Sequence, residues 1–456
     1  MTPELKKTAP SPLAPVEFDI PRPHKTMLDN GLNVVIFEDK RLPLVSYRLA
    51  FHSGDINDPT DHTGLSSAIA SLLTEGTEDY SSRQLAEKIE RLGAGLSASS
   101  SDDFTIIAAS SLSLYSTEVL HLLAEVILRP TFPEDELDLY RRNTVEHLKF
   151  QRSQSPFLAG EQAVRLIYGD HPYAKFSPNA SDIEKLKRET MSKCHAGTYI
   201  PNNAMLIAVG DVERDEFLSE VEELFGDWQQ GTLPSEKFAS PPTRDSRTLT
   251  LVDRPGSAQS NIVLGNLAIN RTDADYFPVL VMNQVLGAGA SSRVFMNLRE
   301  EKGYTYGAYT RLNTKRLAGD IEATAEVRNE VTGESLKEFF YELTRIRETP
   351  VGDDELADAK SFLTGVFPIR AETQEGLTNL IVNQHLYGLP ENYLQTYRAN
   401  VDAVTAADVK QVAEKYVRPD EMAIVIVGDA SEVLPQVESY ADAVEIFDTE
   451  GNLKKN

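Results

Sequence analysis

The sequence predicts an α+β protein of two homologous domains, each an antiparallel sheet flanked by helices, joined by a linker. Three observations predict this fold class. A Pro-, Ser- and Thr-rich break lies in the middle of the chain, one segment is repeated on both sides of it, and strand runs are followed by helix runs instead of alternating with them. The chain has 456 residues, enough for two domains with substantial cores.

The break is the segment at 231–247, GTLPSEKFASPPTRDSR, in which apolar periodicity disappears. This composition is typical of an interdomain linker. We therefore predict a first domain at residues 25–230, a linker at 231–247 and a second domain at 248–440.

The repeated segment reads YIPNNAMLIAVGD at 199–211 and YVRPDEMAIVIVGD at 416–429. Each copy has a Tyr, a Pro-containing turn, a buried-type apolar strand and Gly-Asp. Gly210 and Gly428 are 218 residues apart, close to half the chain. This spacing predicts a duplicated unit of roughly 200 residues.

Within the halves, local patterns predict individual elements. Apolar runs and helical spacing predict strands at 33–37, 45–51 and 104–109 and helices at 64–74 and 134–150. Pro133 is predicted to open the second of these helices, and Ser116 to cap another. Thr405 and Asp408 suggest an N-terminal capping box with Asp in place of the usual Glu.

The charge balance excludes several classes of partner. Lys and Arg total 45 against 70 Asp and Glu, a net charge of −25 without a basic stripe, so no nucleic acid is expected. A negative surface would favour basic substrates. No apolar run is long enough to span a membrane. The N-terminus lacks the apolar core of a signal peptide, so we expect a cytoplasmic protein, or a periplasmic one if a signal was removed.

A search for catalytic groups finds no self-contained site. None of the eight histidines has another three or four residues away, so no helix offers two imidazoles on one face. Cys194 is the single cysteine, which excludes a cysteine-based zinc cluster, and its neighbour His195 diverges from it. The segment LGAGASSR at 286–293 is not a P-loop; we interpret it as a packed turn before a helix, or else a substrate-contacting loop.

Several segments resemble insulinase/pitrilysin-type peptidases, the inverted-zinc-motif family that includes mitochondrial processing peptidase. They are SSRVFMNLREEKGYTYGAY at 291–309, DRPGSAQSNIVLG at 253–265, YGDHPYA at 168–174 and YGLPENY at 387–393. The resemblance covers about residues 25–435. It implies that the two domains form half of a clam shell.

Active members of that family have His-x-x-Glu-His on a first-domain helix. Here the corresponding segment is GLSSAIASLLTEGT at 64–77. Its flanking glycines place Ser67, Ala70 and Ser71 where the first His, the catalytic Glu and the second His should be. Because serine is a poor zinc ligand and alanine cannot move a proton, the resemblance implies that this chain has no metal site and no catalytic residues of its own.

The third zinc ligand of active members is a Glu on a later helix, and the register places His147 there, beside Glu146. One ligand does not make a site, so we interpret His147 as a polar residue facing a chamber. A rebuilt site in a homodimer, from His62, Glu146 and His147, is an alternative.

The resemblance also identifies Arg299 and Tyr306, in Leu-Arg followed by Gly-x-x-Tyr, as the pair that contacts the substrate carbonyl near the scissile bond. A guanidinium and a phenol are suitable donors for the oxyanion that forms when an amide is attacked. On spacing alone, Arg299 could instead pair with Glu300 or Glu301 on a solvated face.

The predicted function is therefore that of a zinc-free subunit of a heterodimeric metallopeptidase that degrades or processes peptides. A homologous partner would contribute His-x-x-Glu-His and zinc, and this chain would contribute substrate-binding Arg299 and Tyr306. Alone, the chain is not expected to be a peptidase. The alternative is a non-enzymatic core-type subunit of a larger complex.

Overall fold

The computed structural model describes residues 20–233 and 237–454. They form two six-stranded sheets flanked by helices, one sheet in each half of the chain. The predicted α+β class with two homologous domains is therefore confirmed. Residues 234–236 of the predicted linker lie outside the described residues.

The first half is built on a sheet of order β1-β2-β6-β3-β5-β4. Its elements are β1 (His24–Met27), β2 (Asn33–Glu38), β3 (Leu44–Phe51), α1 (Leu65–Leu72), α2 (Ser82–Arg91), β4 (Gly95–Ser100), β5 (Thr105–Leu112), α3 (Ser116–Leu128), α4 (Glu134–Arg152), α5 (Ser155–Tyr168), α6 (Ala180–Glu184), α7 (Arg188–Thr198), β6 (Ala204–Gly210) and α8 (Arg214–Phe225).

The second half repeats this plan with the order β12-β7-β11-β8-β10-β9. Its elements are β7 (Thr248–Asp253), β8 (Gln259–Leu267), α9 (Tyr276–Leu286), α10 (Arg293–Phe295), β9 (Thr305–Thr314), β10 (Gly319–Arg328), α11 (Thr332–Glu348), α12 (Asp353–Glu372), α13 (Gln374–Leu386), α14 (Tyr393–Asp402), α15 (Ala406–Tyr416), β11 (Ala423–Gly428), α16 (Ala430–Val437) and β12 (Ala443–Phe447). The repeated segments form β6 and β11, which occupy equivalent places in the two sheets.

The sheets are mixed, because some strand pairs are parallel within the otherwise antiparallel arrangement. β2 pairs with β6 in parallel, and β7 pairs in parallel with both β11 and β12. A parallel pair needs a long connection, and here most of each half lies between the two paired strands. Strands β2 and β11 are buried on both faces, so their sequences are continuous apolar runs that do not reveal strand direction.

Each sheet packs one face against helices of its own half. In the first half Leu49 and Leu206 belong to one buried cluster with Leu123 of α3. In the second, Leu264 and Phe339 of α11 belong to the equivalent cluster. Each Å² of apolar surface removed from water contributes about 25 cal/mol to the stability of the fold. These clusters are therefore the main stabilising contribution.

The opposite face of each sheet is covered by a helix from the other half. α5 packs against β8 and β11, and α13 packs against β3 and β6. Ile381 of α13 belongs to a buried cluster with Val35 and Ile207 of the first sheet. Gln374 donates hydrogen bonds to the carbonyl oxygens of Leu44 and Val209, at 3.0 and 2.7 Å. The two halves therefore exchange helices and share their cores.

The helix ends follow the local sequence with one exception. Pro133 precedes α4, whose first turn is acidic, and Thr405 and Asp408 form the expected capping box of α15. The expectation for Ser116 is wrong, because Ser116 is the first residue of α3 and Tyr115 precedes it without a side-chain cap. The preceding single turn of 3₁₀ helix leads directly into α3 and leaves no extended cap position.

Across residues 20–233 and 237–454, no helix combines the length and the apolar character that crossing a lipid bilayer requires.

Candidate functional site

Helix α1 begins at a tight turn that a buried carboxylate organises. Gly64 has φ 90°, a conformation that favours glycine, and its amide donates to Asp58 at 2.7 Å. The amide and hydroxyl of Ser66 also donate to Asp58, at 2.9 and 2.7 Å. Burial raises the pKa of Asp58 to about 6, against the effect of these donors.

The three positions where active relatives would have zinc-site residues lie on α1. The Ser67 hydroxyl donates to both carboxylate oxygens of Asp55, at 3.1 and 3.2 Å. Ser71 is exposed, and its hydroxyl donates to the Ser67 carbonyl at 2.8 Å. Ala70 is buried. Two engaged hydroxyls and a methyl group do not fit a zinc ion, which prefers thiolate, imidazole or carboxylate ligands.

Asp55 is a residue that the sequence interpretation missed. It accepts hydrogen bonds from Ser67 and from Ser100 of β4, and burial raises its pKa. The available signal was a pair of acidic residues, Asp55 and Asp58, shortly before a glycine that opens a helix. That pattern predicts a helix cap, but it does not predict which hydroxyls donate hydrogen bonds to these carboxylates.

The face of α4 towards α1 presents Tyr140. Burial raises the pKa of Tyr140 to about 12, and the hydroxyls of Thr144 and Ser71 are among its hydrogen-bonding neighbours. His147 is exposed two turns further along α4. Glu146 is also exposed and pairs with Lys149 at 2.7 Å. On α4, the phenol of Tyr140 therefore lies within hydrogen-bonding range of the Ser71 hydroxyl.

Among the described residues, no group of three or more His, Cys, Asp or Glu side chains is arranged to hold a metal ion. His62 pairs instead with Asp61, at 2.9 Å. Within the described part of one chain, His62, Glu146 and His147 therefore do not converge as a metal-binding group, and the site rebuilt in a homodimer stays a prediction.

Arg299 lies in a π-helical turn, Met296–Glu301, that continues α10. Its guanidinium donates to the Tyr306 carbonyl oxygen at 2.6 Å and lies 5.6 Å from the centre of the Tyr306 ring. Nε also lies 3.4 Å from Glu300. The ion pair with a neighbouring glutamate is therefore present, and Arg299 is also anchored to the strand that presents Tyr306, while its contact with a substrate stays a prediction.

A β-bulge places Tyr306 on the open face of the second sheet, the face that looks away from its own helices. Ala308 pairs with Ala325 and Thr305 with Val327, so Tyr306 and Gly307 together oppose one residue of β10. Strict alternation would place Tyr306 with Ala308 and Thr310, which face the core. The bulge resets the alternation, and Tyr306 is 88% exposed. The sequence interpretation found the residue but not the bulge.

The remaining candidates have structural roles. Cys194 and His195 lie on α7, where burial raises the pKa of the thiol and lowers that of the imidazole to about 4, so both stay neutral. Gly287 lies at the start of the predicted loop. A Cβ at this position would lie 2.4 Å from the Thr310 amide nitrogen, so the packing of the turn requires glycine here. This supports the interpretation of the loop as a packed turn before α10.

Comparisons with known proteins agree with this architecture. Residues 33–167 match the model for insulinase (peptidase family M16), and residues 185–363 match the model for the peptidase M16 inactive domain. A crystal structure of a peptidase M16 inactive domain from Pseudomonas fluorescens superposes with a TM-score of 0.83 and 26% identity, covering 89% of this chain and 98% of that one.

Two curated relatives bear different names. The non-peptidase homolog YmxG of Helicobacter pylori is 22% identical over 408 residues, 89% of this chain and 94% of the relative. The uncharacterized zinc protease YmxG of Bacillus subtilis is 21% identical over 366 residues, 78% of this chain and 88% of the relative.

Proposed function

The chain is a non-catalytic member of the insulinase family (peptidase family M16), and we propose that it is the zinc-free subunit of a heterodimeric peptidase. A homologous partner contributes the His-x-x-Glu-His helix and its zinc ion. This chain contributes Arg299 and Tyr306 and part of the wall of the substrate chamber. The family suggests peptide substrates. We propose the cytoplasm as the compartment, or the periplasm if a leader was removed.

The observation that supports this proposal is the exposure of Tyr306 together with the anchoring of Arg299. The Tyr306 ring is 88% exposed, so both its hydroxyl and its apolar body are available to a ligand. Here a bulge turns the ring outward and a guanidinium hydrogen bond fixes the backbone of the same residue. Such arrangements occur beside active sites, where a bulge re-aims a side chain.

The chemistry follows from the donor types. Attack on a peptide carbonyl produces an oxyanion, and donors that are already in place stabilise it. The Tyr306 hydroxyl can donate one hydrogen bond. Arg299 uses one nitrogen for the Tyr306 carbonyl and keeps further N–H groups for a substrate. Because the guanidinium stays charged at any working pH, its contribution does not depend on protonation.

The test is turnover of the complex isolated from native cells through this chain. Arg299→Ala and Tyr306→Phe should each lower kcat/KM by about 10²-fold or more, the scale for loss of one oxyanion donor. Arg328→Ala and Tyr341→Phe are matched controls, because both side chains are exposed in the same half, outside the bulge. Unchanged turnover in both site variants, with the partner still bound, would refute the assigned role.

The second candidate function is that of a structural subunit without peptidase activity. The name of the Helicobacter pylori relative, a non-peptidase homolog, favours it. On that hypothesis the isolated assembly has no chain with His-x-x-Glu-His, and Arg299→Ala leaves both its composition and its stability unchanged. Mass spectrometry of the purified assembly distinguishes the two.

A further inference from the structure

A cavity of about 570 Å³ lies on the open face of the second sheet. Strands β8, β10 and β9 form its floor, and the first turns of α5 form one wall. Tyr306 emerges on the same face of β9, just beyond the cavity residues Gly307 and Tyr309. A chain that passes Tyr306 along the open face would therefore lie over this cavity.

The floor is charged, and the strand register determines its arrangement. Arg311 of β9 is directly opposite Glu322 of β10, and Asn313 is opposite Asp320. Asp320 is buried and accepts hydrogen bonds from the Tyr168 hydroxyl and, at 2.7 Å, from the Asn313 amide. The same amide is 3.5 Å from Glu322, at the limit of a hydrogen bond. Asp320 is thus satisfied within the fold, whereas Glu322 is poorly hydrogen-bonded.

The remaining charges leave the cavity with an excess of negative charge. Lys315, at one end, is paired with Asp102 at 2.9 Å. Burial raises the pKa of Asp320, against the lowering effect of the two hydrogen bonds that it accepts. With Lys315 paired to Asp102, the carboxylates Glu322 and Glu326 outnumber Arg311, the other cation that lines the cavity.

The wall and the rim are apolar. Ala159, Gly160 and Val164 of α5 form the wall, and Tyr309 and Phe176 stand at the opening, each 44% exposed. A cavity with apolar sides, an aromatic rim and a carboxylate at its base suits a long side chain with a cationic end. The alkyl stem of such a side chain packs on the apolar surface while its head meets the carboxylate.

We propose that this cavity is a specificity pocket for an arginine or lysine side chain of an extended peptide, with Glu322 as the counter-charge. The proposal rests on the proposed function in that it takes peptides as the ligand. It adds the residue class that the chamber selects. Arginine should bind better than lysine, because its planar guanidinium stacks on the rim tyrosine and forms paired hydrogen bonds with a carboxylate.

The test measures binding to the purified full chain by fluorescence anisotropy at pH 8. The probes are two fluorescein-labelled nonapeptides of alanine, glycine and serine that differ only at the central residue, arginine in one and its uncharged isostere citrulline in the other. We expect the arginine peptide to bind at least about tenfold more tightly, a modest value for a charge-assisted contact. Glu322→Gln should abolish the preference, and Thr324→Arg, which fills the cavity with a tethered cation, should do the same.

Glu330→Gln is the matched control, because Glu330 is exposed in the same half and pairs with Arg328 outside the cavity. It should keep the full preference. Equal binding of the two peptides to the unmodified chain, a preference that survives both cavity variants, or no binding of either peptide would overturn the pocket. None of these outcomes decides the roles of Arg299 and Tyr306, which depend on turnover of the complex. Conversely, an arginine preference with unchanged turnover of the Arg299 and Tyr306 variants would refute the proposed function alone.

Discussion

The two halves share a topology but differ on their open faces. In the first sheet the edge strand β4 pairs with β5 through Ser97 opposite Ala108 and Ser99 opposite Ile106. At the equivalent place the second sheet has Arg311 opposite Glu322 on β9 and β10. At the edge strands, uncharged groups thus occupy the open face of the first sheet, and a charged cavity floor occupies that of the second.

This difference shows which part of a duplicated fold is free to change. The faces that pack on each half's own helices are apolar in both sheets, because a polar group buried there without a partner would be costly. The exchanged helices α13 and α5 contact the open faces mainly at the inner strands. Charged or functional side chains can therefore appear on the edge strands β4 and β9 without a loss of core packing.

The largest predicted change in stability comes from the helices that the two halves exchange. Ile381 and Ile167 are both fully buried, and each packs against the sheet of the opposite half. Replacing either by alanine should lower the free energy of unfolding by about 2–5 kcal/mol. Because the halves share their cores, both variants should shift one common transition. Urea denaturation followed by the fluorescence of Trp228, in the first half, and by far-ultraviolet circular dichroism checks this.

Ile369→Ala is the control for these substitutions, since Ile369 is 64% exposed on α12. It should change the free energy of unfolding by no more than about 0.5 kcal/mol. Independent halves would give a different result. Ile167→Ala would then produce an early transition in circular dichroism and leave the Trp228 transition in place.

The exchange also marks the limit of what the sequence predicts. Strands such as β2, β6 and β11 were found because short apolar runs between turns are a local signal. The same signal does not show that α13 packs on β3 and β6, since that contact joins residues more than 160 positions apart. Strand direction was missed for the same reason.

The candidate site shows the same difference between local sequence signals and contacts that join distant residues. The family resemblance pointed to Ser67, Ala70 and Ser71 on α1, and to Arg299 and Tyr306 in the second half. The sequence did not reveal Tyr140 next to Ser71, because the contact joins α1 and α4. Strand β4 was missed as well: GLSASS has almost no apolar alternation, since its position at a sheet edge demands little burial.

The charged floor of the second sheet predicts a pH effect that the first sheet lacks. Burial, followed by repulsion from Asp320, raises the pKa of Glu322 from an ordinary 4.5 to about 7. The fold therefore favours the protonated carboxyl, and this contribution to stability is complete below pH 4.5 and is lost as the pH rises through 7. At 1.36 kcal/mol per pKa unit the loss is at most about 3 kcal/mol.

Glu322→Gln removes this titration. Between pH 5 and pH 8 the unmodified chain should lose up to about 3 kcal/mol more stability than the variant, as measured by urea midpoints across that range. Glu330→Gln, at an exposed ion pair, should follow the unmodified chain at every pH. A Glu322→Gln curve parallel to that of the unmodified chain would mean that Arg311 holds Glu322 ionised in the folded state.

The smallest expected effect distinguishes the two serines of α1. Ser67 donates to the part-buried Asp55, so Ser67→Ala should cost about 1 kcal/mol and raise the pKa of Asp55 further, because a donor to the charged form is lost. The hydroxyl of the exposed Ser71 donates to a carbonyl of its own helix, beside the Tyr140 phenol but without a carboxylate partner, so Ser71→Ala should instead gain about 0.5 kcal/mol from helix propensity. Opposite shifts of the urea midpoint at pH 7 would show that Ser67 has been recruited as a partner for Asp55 while Ser71 has not. Equal shifts would mean that the hydrogen bond from Ser100 is sufficient for Asp55 and that both serines are ordinary surface positions of α1.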